Sequence, residues 1–371
     1  MRLGVAAAVI GGGLVAGDVE VEDGVITRAG ISPGPGASGY ALPGLIDLQA
    51  NGYGGVDFNE AGPDGFLTAL RALKRDGVFA VQPTIITDSV ENVVRQLKAI
   101  DAVRADPAAA CQVVGVHAEG PFLSPHHRGV HRTEYLRAPD QAIVEAFLAA
   151  GPLRTITIAP ELDHAAEVTA WCARQGLIVQ AGHSGASIEQ AHALFDAGAR
   201  AVTHLFNGMA DFRRRDPGLP GVTLTRPDVQ IQLIADHVHN APEVVQVALA
   251  VAEARTMLVT DASAAAGAPD GATTVGGVEL VVTDGVPRLP DGTLAGSTVT
   301  LLEQVGKLVA AGWPADRAVN LASRRPAEFF GLPGAGILRV GGPADLITVD
   351  ENIGLVAVFE AGRPMPRGPV A

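Results

Sequence analysis

The sequence has few cysteines, few aromatic residues and no long hydrophobic run. Of 371 residues only Cys111 and Cys172 are cysteine, and 4% are aromatic. Two cysteines cannot supply the dense disulfide framework of small secreted proteins, so each is interpreted as a buried free thiol. No apolar run approaches the roughly 20 residues that a transmembrane helix needs. A disulfide scaffold and an integral membrane protein are therefore excluded, and a cytoplasmic protein is expected.

Basic residues are also scarce. The chain has 27 lysines and arginines against 40 aspartates and glutamates, which gives a formal net charge of −13. Nucleic acids and anionic membranes both require a basic surface, so neither is expected as a partner. An anionic substrate would have to be held by a local cluster of cationic residues.

What the sequence does contain is a repeat of short apolar runs that alternate with helical segments. Eight runs have the length and β-branched content of buried strands: 44–48, 78–82, 113–117, 155–159, 178–181, 201–203, 230–235 and 257–260. Helices are predicted between several of them, at 64–75, 90–101, 140–149, 187–197 and 242–252, with Asp140 and Ser187 near two helix starts. Eight strands are the number that a closed (β/α)8 barrel requires, so the predicted class is α/β with a TIM-like barrel.

Both ends of the chain differ from this repeat. Residues 1–42 and 335–371 show alternating polarity and glycine turns without a helical period, and they are predicted to form one small β-sandwich domain beside a barrel at 43–334. The apolar start belongs to this domain rather than to a signal peptide, because Arg2 is its only charge and glycines interrupt it. Two insertions lie between barrel segments. Residues 275–294 are predicted to form a hairpin after the eighth strand, and 209–221 form a polar loop after the sixth.

Ionisable side chains stand at the ends of four predicted strands: Glu119, His183, His204 and Asp261. Because the carboxyl ends of barrel strands meet at one face, these side chains are expected to converge. Imidazole and carboxylate ligands suit zinc and related divalent metals, and a carboxylate beside metal-activated water can carry protons. The alternatives are buried core histidines, which could include His117, and carboxylates that cap helices. Repetition on separate strands favours the metal site.

Four motifs resemble those of the N-acetylglucosamine-6-phosphate deacetylases of the amidohydrolase superfamily. They occur in this order: HAEGPF at 117–122, AGHS at 181–184, THLFN at 203–207 and LVTDA at 258–262. PGLID at 43–47, GTLAGS at 292–297 and the terminal segments extend the resemblance over essentially the whole chain. It implies that Glu119, His183 and His204 bind one divalent metal, zinc first, with iron, cobalt and manganese left open. It also implies that Asp261 is the catalytic acid and base.

The resemblance extends to residues that would hold the substrate. His131 would hydrogen-bond the amide carbonyl or a ring hydroxyl and is counted as catalytic. The remaining matches, which would contact sugar or phosphate or close over them, are Val130, Asn207, Gly208, Arg215, Asp236, His239, Leu294, Ala295 and Gly296. Arg215 is favoured for phosphate because a guanidinium binds phosphate oxygens in pairs, whereas Arg213 and Arg214 are interpreted as solvated. Gly208 departs mildly from the family, where alanine is usual.

One departure concerns the number of metals. Many amidohydrolases end the first strand with His-x-His, which holds a second metal, whereas this chain has Gln49 and Asn51. Neither amide is a strong zinc ligand, so the second site is expected to be vacant.

The resemblance implies an enzyme that hydrolyses N-acetyl-D-glucosamine 6-phosphate to D-glucosamine 6-phosphate and acetate in amino-sugar metabolism. It also implies a homodimer, in which a phosphate ligand can come from the neighbouring subunit. Two alternatives stay open: a deacetylase of N-acetylgalactosamine 6-phosphate or of another N-acyl amine, and a non-catalytic barrel that binds sugar phosphates.

Overall fold

The computed structural model describes residues 1–366. The predicted terminal domain runs to residue 371, so 367–371 of that prediction lie outside the described residues. Within 1–366, no helix is long and apolar enough to cross a membrane.

Eight parallel strands form the predicted TIM-like barrel, which is confirmed. They are β1 Leu45–Ala50, β2 Val78–Ile86, β3 Val116–Phe122, β4 Leu153–Ile158, β5 Ile178–Ala181, β6 Ala201–Val202, β7 Gln230–Leu233 and β8 Thr256–Leu258. Each strand pairs in parallel with the next one along the chain. The ring closes just beyond β8, where the Asp261 amide donates to the Gln49 carbonyl at 2.9 Å and the Asn51 amide to the Ala262 carbonyl at 2.7 Å.

The third strand differs from the predicted 113–117. Val113 belongs to a separate two-residue strand, Gln112–Val113, which pairs with β2. β3 starts at Val116 and continues to Phe122. Glu119 therefore lies inside a strand rather than past its end, and its neighbour in the register is Thr157 of β4.

Ten α-helices are described within 1–366. They are α1 Pro63–Arg75, α2 Val90–Arg104, α3 Gln141–Ala150, α4 Ala165–Arg174, α5 Ile188–Asp196, α6 Gly218–Thr225, α7 Pro242–Ala252, α8 Leu301–Ala310, α9 Ala315–Leu321 and α10 Arg324–Phe330. Short 3₁₀ turns lie at Thr133–Tyr135 and Glu253–Arg255. The expected caps are present: Asp140 accepts from the Ala142 amide, and Ser187 forms a capping box with Gln190.

Strands from both ends of the chain share one six-stranded sheet. Its order is Gly13–Ala16, Ala7–Ile10, Tyr40–Pro43, Leu346–Val349, Leu355–Glu360 and Arg363–Pro364. Tyr40–Pro43 pairs in parallel with Ala7–Ile10 and antiparallel with Leu346–Val349, so the amino-terminal strands and the carboxy-terminal strands meet there. A hairpin of Asp18–Glu22 and Val25–Ile31 contributes to the buried cluster beside this sheet. A small β domain from both termini is thus present, and its exact bounds stay a prediction.

The insertion after β8 is larger than the predicted hairpin at 275–294. It is a three-stranded antiparallel meander of Gly271–Val275, Val278–Thr283 and Val286–Arg288. The hydrophobic pattern of the sequence did not predict the first strand, because that strand is largely exposed and begins with small and polar residues. Val275, Leu280 and Val282 pack on Ile86 at the end of β2, which places the meander over the carboxyl end of the barrel. A smaller pair, Gly52–Tyr53 with Val56–Asp57, follows β1.

Asp47 is a fully buried carboxylate inside the barrel. It accepts hydrogen bonds from the Thr260 amide at 3.2 Å, the Thr260 hydroxyl at 2.5 Å and the Gln49 amide at 3.3 Å. Burial raises its pKa to about 6, although the bonds from Thr260 oppose the shift. The side chain therefore links β1 to the end of β8, one residue before Asp261.

The raised pKa of Asp47 predicts a pH-dependent stability. The folded state holds the proton more tightly than the unfolded chain, so the stabilisation is complete below about pH 4 and is lost as the pH rises through about 6. The loss is expected to reach about 3 kcal/mol of unfolding free energy. Urea unfolding of the wild type and of Asp47→Asn at several pH values measures it. If both proteins lose equal stability between pH 4 and pH 7, Asp47 is not the titrating group.

Candidate metal centre and active site

Three predicted ligands converge at the carboxyl end of the barrel. Glu119 lies on β3, and His183 and His204 follow β5 and β6. Glu119 Oε1 lies 3.1 Å from His183 Nε2 and 2.9 Å from His204 Nε2, and the two nitrogens are 3.1 Å apart. All three side chains are buried, and they form a group of donor atoms that could hold a metal ion.

The backbone turns sharply where these side chains leave their strands. His183, His204 and Asp261 have φ values of 47°, 24° and 49°. Positive φ is uncommon for residues with a Cβ, and such strain persists only where the surroundings impose it. The strand ends are thus held in an unfavourable conformation that directs donor atoms into the barrel mouth.

The hydrogen bonds of His183 indicate whether a cation suits the space between the donors. His183 Nδ1 lies 2.9 Å from the His127 carbonyl oxygen, which can only accept, so Nδ1 carries the proton. In the neutral ring Nε2 is then a lone pair that faces the Glu119 carboxylate. Two lone pairs this close repel unless a proton or a metal ion lies between them. The carbonyl bond at Nδ1 is the arrangement that orients metal-binding histidines.

The electrostatics of the ligands follow from this contact. Burial raises the pKa of Glu119, but its close contacts with the His183 and His204 rings outweigh burial and hold the pKa well below its usual range. Burial lowers the pKa of His204, whereas the bond and charge of Glu119 raise it to about 9. The Glu119 carboxylate is therefore ionised and can only accept, as a metal ligand must.

His117 is the buried histidine that the sequence left undecided. Its Nε2 lies 2.8 Å from the Thr157 hydroxyl, and its Nδ1 lies 3.2 Å from the Thr84 hydroxyl. Burial lowers its pKa to about 4, so the ring is neutral. His117 is a satisfied core residue beneath the site.

Asp261 lies beside the ligands and is bound by two amide side chains. Its Oδ1 accepts from Asn51 Nδ2 at 2.8 Å and from Gln49 Nε2 at 3.1 Å. Gln49 Nε2 also donates to Glu119 Oε1 at 3.0 Å. Burial and the charge of Glu119 raise the pKa of Asp261. Both residues at the expected vacant metal positions thus act as donors to Asp261, and Gln49 bridges it to Glu119.

His131 enters the site as a neutral donor. The Thr87 amide donates to its Nδ1 at 3.2 Å, and the Thr87 hydroxyl, 2.9 Å from the same nitrogen, donates to the Glu119 carbonyl. Nδ1 is therefore an acceptor, and Nε2, 3.8 Å from Glu119 Oε2, carries the proton. Burial, followed by the charge of His183, lowers the pKa of His131 to about 3.

These groups face a cavity of about 290 Å³. Seven of the predicted substrate residues line it: Val130, His131, Asn207, Gly208, His239, Leu294 and Gly296. Arg288, Gly292 and Thr293 line it as well, and the sequence interpretation did not include them. The sequence placed all three in the predicted hairpin after the eighth strand, but it did not show which of its residues face the cavity.

Asp236 and His239 form a pair at the end of β7. His239 Nδ1 lies 2.7 Å from Asp236 Oδ2, and Asp236 Oδ1 accepts from the Val238 and His239 amides. Burial raises the pKa of Asp236, but its hydrogen bond with His239 lowers it overall. His239 lines the cavity and Asp236 does not. The role of Asp236 is therefore to orient His239 through their hydrogen bond.

Two other predicted substrate residues lie outside the cavity lining. Ala295 is buried against the meander. Arg215 belongs to an exposed stretch, 211–216, in which the Arg213 amide bonds the Asp216 carbonyl and Arg213 pairs with Asp211 at 3.6 Å. Within its own chain, Arg215 is not brought to the ligands.

The barrel and its buried Glu-His-His group define a hydrolase class in which a metal and a carboxylate act at the strand ends. The chain belongs to the amidohydrolase family, whose model matches residues 40–366. The membership of the amidohydrolase superfamily that the four motifs implied is thereby confirmed.

Within this family, the chain is similar to deacetylases of N-acetylated sugar phosphates. The chain is 33% identical to the N-acetylgalactosamine-6-phosphate deacetylase of Escherichia coli O157:H7 over 93% of both sequences. It is 36% identical to the N-acetylglucosamine-6-phosphate deacetylase of Mus musculus over 86% of this chain and 82% of the other. A mutant N-acetyl-D-glucosamine-6-phosphate deacetylase of Mycobacterium smegmatis, solved in complex with N-acetyl-D-glucosamine-6-phosphate, has a TM-score of 0.89 at 32% identity over 97% of both chains.

Proposed function

We propose that this protein removes the acetyl group of N-acetyl-D-glucosamine 6-phosphate, releasing D-glucosamine 6-phosphate and acetate. The observation that carries the proposal is the convergence of Glu119, His183, His204, Asp261 and His131 on one cavity. The cavity and its lining of amide, imidazole and backbone groups suit a polar sugar. The relatives that carry this activity in their names support the substrate class.

The chain supplies two groups for the chemistry. Glu119, His183 and His204 would hold a divalent metal, which would supply the Lewis acidity that makes water a nucleophile at neutral pH. Asp261 accepts the proton of the attacking water and returns it to the departing nitrogen, so the C–N bond breaks to a neutral amine. His131 donates its Nε2–H to the acetyl carbonyl oxygen as negative charge develops there.

The metal is proposed to be single, because Gln49 and Asn51 direct amide N–H groups at the carboxylates. Zinc is the first choice, and iron, cobalt and manganese suit the same ligands. Two unpaired buried cysteines accord with a reducing compartment such as the cytoplasm.

We further propose a homodimer. Helix α7 exposes Val244, Val247 and Val251 on one face, and Phe212 is 54% exposed on the loop that carries Arg215. Exposed apolar side chains with helical spacing mark interaction surfaces. In such a dimer Arg215 of one subunit would reach the phosphate bound in the other.

A second candidate substrate is N-acetyl-D-galactosamine 6-phosphate. It is favoured by the Escherichia coli relative, which bears that name and aligns with 93% of this chain. A non-catalytic barrel is set aside, because the ligands and the acid/base are all present. Acetate release from both 6-phosphate epimers by protein of known metal content decides between the substrates. No release from either epimer by metal-loaded protein would contradict the proposal.

Arg215→Ala is predicted to lower kcat/KM for the phosphorylated sugar about 10- to 100-fold, because a charge-assisted contact to phosphate is lost. The unphosphorylated sugar should be affected far less. Mixing Arg215→Ala with Asp261→Asn subunits tests the shared site, since each mixed dimer regains one complete centre.

Random mixing should therefore restore about a quarter of wild-type activity if Arg215 acts across the interface. Arg71→Ala, which changes an exposed arginine on α1, is the matched control for the single variant. Equal losses on both sugars would contradict a phosphate role, and no recovery on mixing would place Arg215 in its own subunit's site.

A further inference from the structure

Arg288 is a cavity residue with no role in the proposed function so far. It ends the third strand of the meander, Val286–Arg288, where its backbone pairs with Val281 and bridges to Leu294. These contacts fix its backbone within the meander, which lies over the carboxyl end of the barrel. Arg288 is an exposed residue that lines the same cavity as Glu119, Asp261 and His239.

The guanidinium is held in place but retains free donors. Its one side-chain hydrogen bond within residues 1–366 runs from Nη1 to the Gly292 carbonyl at 2.8 Å. The other N–H groups are available to a ligand. A guanidinium offers a planar set of donors, so orienting it with one bond reduces the entropy lost when the others bind an anion.

The charge of the cavity gives this cation a function. Among its described lining residues, Arg288 is the only lysine or arginine, whereas Glu119 and Asp261 are carboxylates. The whole chain carries a net charge of −13. A dianionic sugar phosphate would be repelled from such a site unless a cation stood near its phosphate.

We infer that Arg288 binds the phosphate of the substrate from within the same subunit and selects phosphorylated over neutral sugars. The inference rests on the proposed function for the identity of the substrate. The fork of Nη2–H and Nε–H donors pairs with two phosphate oxygens while Nη1 stays on Gly292. Phosphate binding thereby also fixes the turn at 290–292 next to the covering residues Thr293 and Leu294.

The test compares Arg288→Met and Arg288→Lys with wild type on N-acetylglucosamine 6-phosphate and on N-acetylglucosamine. Methionine keeps much of the side-chain length without charge, and lysine keeps the charge without the fork. The ratio of kcat/KM for the phosphorylated sugar to that for the neutral sugar is expected to fall about 10- to 100-fold in Arg288→Met. Most of the change should appear in KM, and Arg288→Lys should recover part of it. Arg71→Met is the matched surface control.

An unchanged ratio in Arg288→Met overturns the inference, whether both activities fall together or neither falls. The first result would mean that Arg288 only supports the covering turn. If the wild type hydrolyses neither N-acetylglucosamine 6-phosphate nor N-acetylgalactosamine 6-phosphate, the proposed function fails. The inference is then tested by calorimetry, which compares the binding of glucosamine 6-phosphate and of glucosamine to metal-loaded protein. A preference for the phosphorylated probe that Arg288→Met abolishes supports the inference. No such preference in the wild type overturns it.

Discussion

Replacing Asp261 with asparagine is expected to lower kcat by about 10²- to 10⁴-fold, the range for losing general acid/base catalysis. Asparagine has no basic carboxylate that can take the proton of water and return it to the amine. Its carbonyl oxygen can still accept from Asn51 Nδ2 and Gln49 Nε2, which lie 2.8 and 3.1 Å from Oδ1 of the native residue. The site should therefore keep its shape, and the loss should be chemical.

Acetate release and metal analysis on the same preparations check this expectation. Asp163→Asn removes an exposed carboxylate elsewhere and serves as the matched control. Normal metal content with a large loss of kcat is the expected pair of results. Near-normal turnover by Asp261→Asn would remove this residue from the mechanism, and loss of the metal would show that it serves as a ligand instead.

Removal of the metal is expected to lower activity by about 10³-fold or more, because water without a metal is a weak nucleophile at neutral pH. Glu119→Gln should have a similar effect. It replaces the ionised oxygen that lies 3.1 Å from His183 Nε2 and 2.9 Å from His204 Nε2 with a neutral amide, a poor zinc ligand. Added zinc should restore chelated wild type, and the same concentration should leave Glu119→Gln inactive.

Metal content by mass spectrometry and thermal stability with and without added zinc accompany the activity assay. A ligand that binds only the folded state raises the melting temperature, so the wild type should respond and Glu119→Gln should respond far less. Glu91→Gln, on the exposed face of α2, is the control. Full turnover by demonstrably metal-free protein would contradict the centre.

Much of the fold could be predicted because its signals are local. Each barrel strand is a short apolar run between glycine-rich or helical segments, and the Asp140 and Ser187 caps act within three residues of chain. The errors also have local causes. The third strand was predicted to end at residue 117, yet β3 passes through the Gly120–Pro121 pair to Phe122. The first strand of the meander lacks an apolar face strong enough to indicate a strand.

The convergence of the proposed site residues could also be predicted from sequence, because parallel barrel strands bring Glu119, His183, His204 and Asp261 out at one rim. Their protonation could not. The Nε2 lone pair of His183 depends on the His127 carbonyl, and the Nε2 proton of His131 depends on Thr87, 44 residues earlier.

The sequence by itself therefore determined the barrel, the residue types of the proposed metal centre and the two amides at the positions where many amidohydrolases bind a second metal. Only the tertiary structure decided which ring nitrogen of each histidine carries the proton. It also decided that Asp236 orients His239 and that Arg288 lines the cavity from the meander. The physical reason is the separation along the chain over which each interaction acts. Strand periodicity and helix caps act over a few neighbouring residues, whereas hydrogen bonds within a site join atoms from segments that only the closed barrel brings together.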